Sequence, residues 1–363
     1  MEKIFVTQPQ IPEFDEYVEE IKKIWETKHI TNFGPQYNAF IEAIKERYGY
    51  EYVDLQCNVH MSLQNLLSCI EPGEVITTPF TFISTTLAIN NAGHTPVFCD
   101  IRLDDYNMDP DKIEALITDK TVAIVPVHVY GSPCDVEKIQ EIADKHDLKV
   151  VYDAAHAFDV KYKGQEIGSF GDASMFSMHA TKVLNSIEGG MCVTKTKEML
   201  DELISRSNFG ISNARTVYDG VNSKMNEFQA SMGIVNLRHL DEAIARRKEL
   251  TARYTEQLKD IDEITLLNRR DDVTYNYAYY PILIDKEGVD GGDLLEYLEG
   301  FGVYSRRYFY PASNEMPYFK GMGDTPIAHK VSLNIVCLPI YPALKDEECD
   351  RIAELVNKFF EEK

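Results

Sequence analysis

The feature that most restricts this chain is an alternation of short, unbroken β-branched runs with amphipathic helical stretches. VITTPF (75–80), TPVFCDI (95–101), TVAIVPVHV (121–129) and LKVVYDA (148–154) are short continuous runs, mostly apolar and rich in β-branched residues. Each such strand must therefore be buried on both faces. Helical patterns lie between them, near 82–92, after Asp109-Pro110 and at about 134–146. Strands joined through helices require a mostly parallel sheet with right-handed crossovers, and ligands gather at the carboxyl ends of its strands.

Two amphipathic helices, over 13–27 and about 36–48, precede this unit and flank the loop HITNFGPQ. A long helical stretch from about Met225 to Lys259 leads out of it. The rest is expected to run β (277–284), α (293–300), β (302–308), β (334–339), α (345–361). The expected division is a large α/β/α sheet domain over 1–245, including the N-terminal helices, and a small C-terminal α/β domain over 246–363. No repeat, low-complexity tract or long linker interrupts it.

With 59 acidic against 37 basic residues the formal charge is −22, which excludes a nucleic-acid partner, because phosphates need a basic surface. No apolar run approaches the ~18 residues of a membrane span, and MEKIFVTQPQIPEFDEY has no signal-peptide core. The seven cysteines form no CxxC pair and no Cys/His cluster at zinc spacing, so no metal site is expected. Reduced thiols in a cytoplasmic protein fit this pattern. Neither GxGxxG nor GxxxxGK[ST] occurs, which weakens a dinucleotide or P-loop reading.

Two residues then draw together. LKVVYDAAHAF puts Asp153 at the carboxyl end of a buried strand, where a carboxylate either caps the next turn or meets a cation. In SFGDASMFSMHATK, ASMFS is a further buried strand, ending at Ser177, with Lys182 in the turn that follows. Both fall where a ligand would lie. An ordinary salt bridge satisfies this spacing; so does a pyridoxal phosphate site, in which the lysine binds the aldehyde and the carboxylate holds the ring nitrogen protonated.

DAAHAF, FSMHATKVLNSIEGG, PVHVYGSPCDV and GVNSKMNEFQASMG together resemble the DegT/DnrJ/EryC1/StrS nucleotide-sugar aminotransferases, of fold-type I (aspartate aminotransferase-like). The resemblance runs from VTQPQIP to CLPIYPAL. It implies that Lys182 is the Schiff-base lysine and Asp153 the pyridine-nitrogen partner. His156 would lie near the ring's phenolic oxygen, Phe82 would stack on the ring, and Ser177 would bind the phosphate. Asn222 would reach the phosphate of a neighbouring subunit, making a homodimer with shared active sites. On the residues alone, Phe82 reads as core and Asn222 as a turn. Relatives carry Asn-Gly-Thr where this chain has Asn58-Val59-His60. Val59 adds a side chain at the phosphate cup, and His60, if protonated, adds positive charge there.

VITTPFTF, RRYFYP and CLPIY resemble the subgroup acting on dTDP-4-keto-6-deoxyglucose, which implies deoxyamino-sugar biosynthesis, such as that of lipopolysaccharide O-antigen. Glutamate would give the amine and dTDP-4-amino-4,6-dideoxyglucose would be the product. Amination at C3 of a dTDP-3-keto sugar, a GDP- or UDP-ketosugar substrate, and a non-catalytic binding relative stay open. Asn32, Phe33, Arg306, Arg307 and Tyr310 are the candidates for sugar or nucleotide contact. Alternation along a strand would turn only one of the two arginines into the cleft.

Overall fold

The computed structural model describes residues 3–363, so the expected large unit, 1–245, begins on two residues, Met1 and Glu2, that lie outside the described residues. Seven strands form the central sheet: β1 (Tyr52–Gln56), β2 (Glu74–Thr77), β3 (Thr95–Phe98), β4 (Thr121–Val125), β5 (Lys149–Asp153), β6 (Ala173–Ser177) and β7 (Gly190–Thr194). Their spatial order is β1-β7-β6-β5-β4-β2-β3. All neighbouring pairs from β6 to β3 are parallel, whereas β7 is antiparallel to both β6 and β1. The parallel strands are those whose continuous apolar runs required cover on both faces. β7 begins in the Gly189-Gly190 pair and returns by a loop instead of a helical crossover, which freed it to run the other way.

The helices are α1 (Phe14–Thr27), α2 (Pro35–Tyr48), α3 (Val59–Ser68), α4 (Ser84–Asn91), α5 (Val136–His146), α6 (Lys197–Ser207), α7 (Glu227–Arg238), α8 (Leu240–Leu258), α9 (Gly291–Gly300), α10 (Pro326–Asn334) and α11 (Asp346–Glu362). Two expectations change. After Asp109-Pro110 the chain makes two 3-10 turns, Pro110–Lys112 and Glu114–Leu116, because the segment ends at the Thr118–Thr121 turn before a helix nucleus can be extended. The single stretch over 225–259 is two helices: His239 leaves the helical region (φ −100°, ψ 6°) and its ring is held by Glu16 of α1 at 2.7 Å.

A second sheet, β8 (Ile264–Leu266), β9 (Tyr280–Ile284) and β10 (Ile335–Leu338), is antiparallel and ordered β8-β9-β10. α11 lays Cys349, Ile352, Ala353, Val356, Phe359 and Phe360 at helical spacing against the core this sheet shares with α8 and α9. Each such large side chain, fully buried, stabilises by roughly 1.5–3 kcal/mol. Ile4 joins this core as well, through parallel pairing of Ile4–Phe5 with Val303–Tyr304. No helix of the described residues is long and apolar enough to cross a membrane.

Candidate active site

Asp153 ends β5 and is buried, as its apolar strand dictates. Its Oδ2 accepts from Thr85 Oγ1 at 2.7 Å and its Oδ1 from the Ala155 amide at 3.0 Å. Thr85 is itself paired with Thr81 at 2.8 Å. Burial pushes the Asp153 carboxyl above the ordinary range; the two donors and the charge of Lys182 pull it back.

Lys182 follows β6 in a turn closed by its amide on the His179 carbonyl at 2.9 Å. Its Nζ donates to the Tyr279 hydroxyl at 3.1 Å. Burial draws the amine down to about 8, against the opposing pull of Asp153 and Tyr308. This is no solvated surface lysine. His156, one turn after Asp153, is buried, and its Nδ1 accepts from the Tyr130 amide at 3.3 Å. The proton of the neutral ring is thereby placed on Nε2. Burial, then the charge of Lys182, holds the imidazole well below its usual pKa. Ser177 and His156 line one small cavity with Lys182, Tyr279 and Asn276. Asn276 donates to the carbonyls of His156 and Phe158, both at 2.8 Å, and so fixes the loop after Asp153.

Phe82 is 60% exposed, so it is not core; it lines a hollow of about 380 Å³ with Arg306, Arg307, Tyr308 and Tyr310. Both arginines line that hollow, contrary to the expectation that one would turn away. The strand ends at Tyr304, so strict alternation no longer holds at 306 and 307. Arg307 lies over the Tyr310 ring at 3.6 Å and donates to the Leu333 carbonyl at 3.3 Å. Asn32 and Phe33 are elsewhere. Phe33 packs edge-on to Tyr37 (5.3 Å, 75°), and the loop abuts α7, where Glu227 accepts the amides that open α2.

At the start of α3, Asn58 Oδ1 accepts from the Met61 amide at 2.9 Å. The amides of Val59 and His60 lie in the first turn, where the helix supplies no acceptor. Val59 packs against the cluster of Leu63, Leu66 and Val75. His60 Nδ1 is 3.0 Å from Ser84 Oγ and Nε2 accepts from Asn91 at 3.4 Å. Burial lowers its pKa, which disfavours the protonated imidazole considered from the sequence. Gly190 lets β7 pass close by: a Cβ there would lie 2.8 Å from Asn58 backbone and 2.2 Å from Ser62 Oγ. Asn222 is exposed; its side chain accepts from Lys224 at 2.6 Å, and the next residue, Ser223, takes the Cys57 amide at 2.6 Å.

Sequence reasoning missed Thr85, Tyr279, Asn276 and Lys224. Thr85 carried a signal, since it lies one helical turn from Phe82. Tyr279 is one of several tyrosines in YNYAYY, and nothing local distinguishes it.

The donor set suits pyridoxal phosphate. A buried carboxylate that accepts from Thr85 and Ala155 has capacity left for a cationic ring nitrogen, beside an amine that burial draws down to about 8. Among the described residues no three His, Cys, Asp or Glu side chains are grouped to hold a metal ion. Fold and cleft define a pyridoxal phosphate-dependent aminotransferase of the fold-type I class. The model of the DegT/DnrJ/EryC1/StrS aminotransferase family matches residues 13–357, and the chain belongs to that family. It is 40% identical to the dTDP-4-amino-4,6-dideoxy-D-glucose transaminase of Escherichia coli, over 97% of each chain. It is 36% identical to the transaminase of that name from Shigella dysenteriae, over 99% of this chain and 100% of that one. The solved structure of DesI in the presence of its TDP-sugar product superposes with a TM-score of 0.95 at 31% identity, covering 99% of this chain and 93% of that one.

Proposed function

We propose that this aminotransferase moves an amino group from glutamate to the ketone of dTDP-4-keto-6-deoxyglucose, giving dTDP-4-amino-4,6-dideoxyglucose. The observation that carries the substrate is the full-length likeness to two transaminases named for that sugar.

When bound, pyridoxal phosphate supplies an electron sink for the carbon that gains or loses the amine. Lys182 both anchors the cofactor and moves the proton at that carbon, and an amine drawn to about 8 is populated in both protonation states near neutral pH. Asp153 holds the ring nitrogen protonated, with Thr85 and Ala155 fixing the carboxylate's orientation. His156 offers its Nε2–H to the phenolic oxygen. Phe82, half in solvent within the chain, covers the ring face. Ser177 and the first-turn amides of α3 take the phosphate, aided by the helix dipole. Arg306 and Arg307 take the diphosphate of the sugar nucleotide, against an overall charge that repels it. Tyr310 and the loop of Asn32 and Phe33 complete the nucleotide-sugar contacts.

The working unit in this reading is a homodimer, in which each chain's Asn222 reaches the phosphate held by its partner. Trp25, Phe14, Phe209 and Ile211 are large apolar side chains exposed on the chain, and a subunit contact would cover such surface. Residues 1–245 are the large cofactor-binding unit and 246–363 the small one. All seven cysteines are free, which suits the reducing cytoplasm as its location.

The test is turnover with glutamate across dTDP-, GDP- and UDP-linked ketosugars, with the aminated carbon located by NMR. The dTDP-4-ketosugar is expected to be preferred, with amination at C4. Preference for another nucleotide, or amination at C3, would overturn the substrate assignment. Activity retained in Lys182→Ala would overturn the mechanism.

A further inference from the structure

On the far side of the segment that carries Tyr279 lies a second cavity, of about 600 Å³. Ala278 and Tyr279 line the Lys182 cavity, whereas Tyr277 and Tyr280 line this one, and the two share no residue. Its size is that of a small-molecule site. Its walls combine an apolar side, Leu266 and Pro281, with a cationic one, Lys248 and Arg269.

Arg269 is the unusual member. Its neighbour Arg270 binds Asp272 at 2.9 Å, and Arg253 on α8 is paired with Asp346 at 3.2 Å. Arg269 lies over the rings of Tyr277 (5.4 Å) and Tyr275 (5.9 Å), and among the described residues it has no hydrogen bond or ion pair. Burial draws its pKa down, and only tyrosines oppose that shift. A partly buried guanidinium without an anion is costly to keep. Lys248, exposed on α8, likewise has no ion-pair partner among the described residues. Thr251 Oγ1, also on the wall, is buried without a hydrogen-bond partner. The one carboxylate at the rim, Glu256, is already taken by Lys259 at 2.9 Å. Two cations and an apolar wall thus face one space.

We propose that this cavity is a second ligand site, taking a small organic dianion with a planar or apolar part. Its anionic end would lie on Arg269 and Lys248, and its apolar part against Leu266 and Pro281. Nucleoside diphosphates and dicarboxylates share this chemistry.

The holoenzyme is titrated by calorimetry with thymidine diphosphate and, separately, with 2-oxoglutarate, while hydrogen exchange locates the bound probe. At least one probe is expected to protect peptides within 248–256 and 266–270, and the tighter of the two assigns the ligand class. Arg269→Met should weaken that binding about tenfold, the worth of one charge-assisted hydrogen bond. Lys248→Met, at an exposed position that folding does not depend on, should weaken it about threefold. The proposal is overturned if neither probe protects these peptides, if protection falls only on 305–311 or 179–186, or if both variants bind as the parent does.

Discussion

Lys182 Nζ donates to the hydroxyl of Tyr279 at 3.1 Å, and this bond ties the large sheet's turn to the segment that enters the second sheet. An acceptor beside the amine steadies its charged form and fixes where the proton-carrying nitrogen sits. In Tyr279→Phe, kcat is expected to fall about tenfold with little change in KM, as for the loss of one hydrogen bond to a charged group, about 1.5 kcal/mol. Wild-type kcat in that variant would show that the bond does not position the amine.

The pH dependence follows from the same burial. Lys182 is drawn from the ordinary lysine value of 10.5 to about 8, so its free amine grows in as pH rises through 8. Uptake of pyridoxal phosphate by the cofactor-stripped enzyme, which needs the free amine, should accelerate with pH and be half-maximal near 8. Stopped-flow absorbance measures this directly. Tyr279→Phe should move the curve to lower pH, because the charged form loses its acceptor; a midpoint in the ordinary lysine range would refute the desolvated amine.

Thr85 acts on Asp153 at one remove. Its hydroxyl donates to Oδ2 at 2.7 Å and helps hold down a carboxyl that burial raises. Thr85→Val keeps the shape and removes the donor, so the carboxylate protonates more readily and holds the cofactor's ring nitrogen less well. The expected result is a fall in kcat of about tenfold that is steeper at acid pH, together with a shift in the absorbance of bound cofactor. A loss that is uniform with pH would indicate a packing effect alone.

How much of this was legible depended on how local each signal was. The parallel strands announced themselves, because a strand covered on both faces must be apolar throughout, and Asp153 and Lys182 stood out at the ends of two such runs. β7 did not, since MCVT is short and its direction depends on which loop returns it. The two arginines were legible as cations but not in their direction, which depends on the strand ending at Tyr304. Tyr279 was invisible, as its role comes from a contact 97 residues away in sequence. The cavity beside Arg269 is of the same kind: α8, β8 and the 277–281 segment meet there only in the folded chain.

Arg306 and Arg307 line one hollow, which distinguishes two outcomes. If both bind the sugar nucleotide, each alanine variant should raise its KM about tenfold, near 1.4 kcal/mol, with no effect on glutamate. Arg307→Ala should also lower the Tm slightly, because Arg307 holds the Leu333 carbonyl and stacks on Tyr310. A silent Arg306→Ala would restore the reading in which only one arginine faces the ligand.

Gly190 packs tightly against the start of α3, where the proposed phosphate site lies. A methyl group there would meet Ser62 Oγ at 2.2 Å and the Asn58 backbone at 2.8 Å, and neither can be accommodated without movement. Ser62 can rotate only by giving up its hydrogen bond to the Asn58 carbonyl, at 3.0 Å. The Asn58 backbone can shift only by displacing the cap of α3, and with it the amides of Val59 and His60. Gly190→Ala should therefore cost about 1–3 kcal/mol and lower the Tm by several degrees. It should also weaken retention of pyridoxal phosphate on dialysis, while a substitution that only loosened the core would leave retention unchanged. Adding Ser62→Ala removes the nearer clash and leaves the backbone one. The double variant should thus regain part of the lost Tm without regaining full cofactor retention.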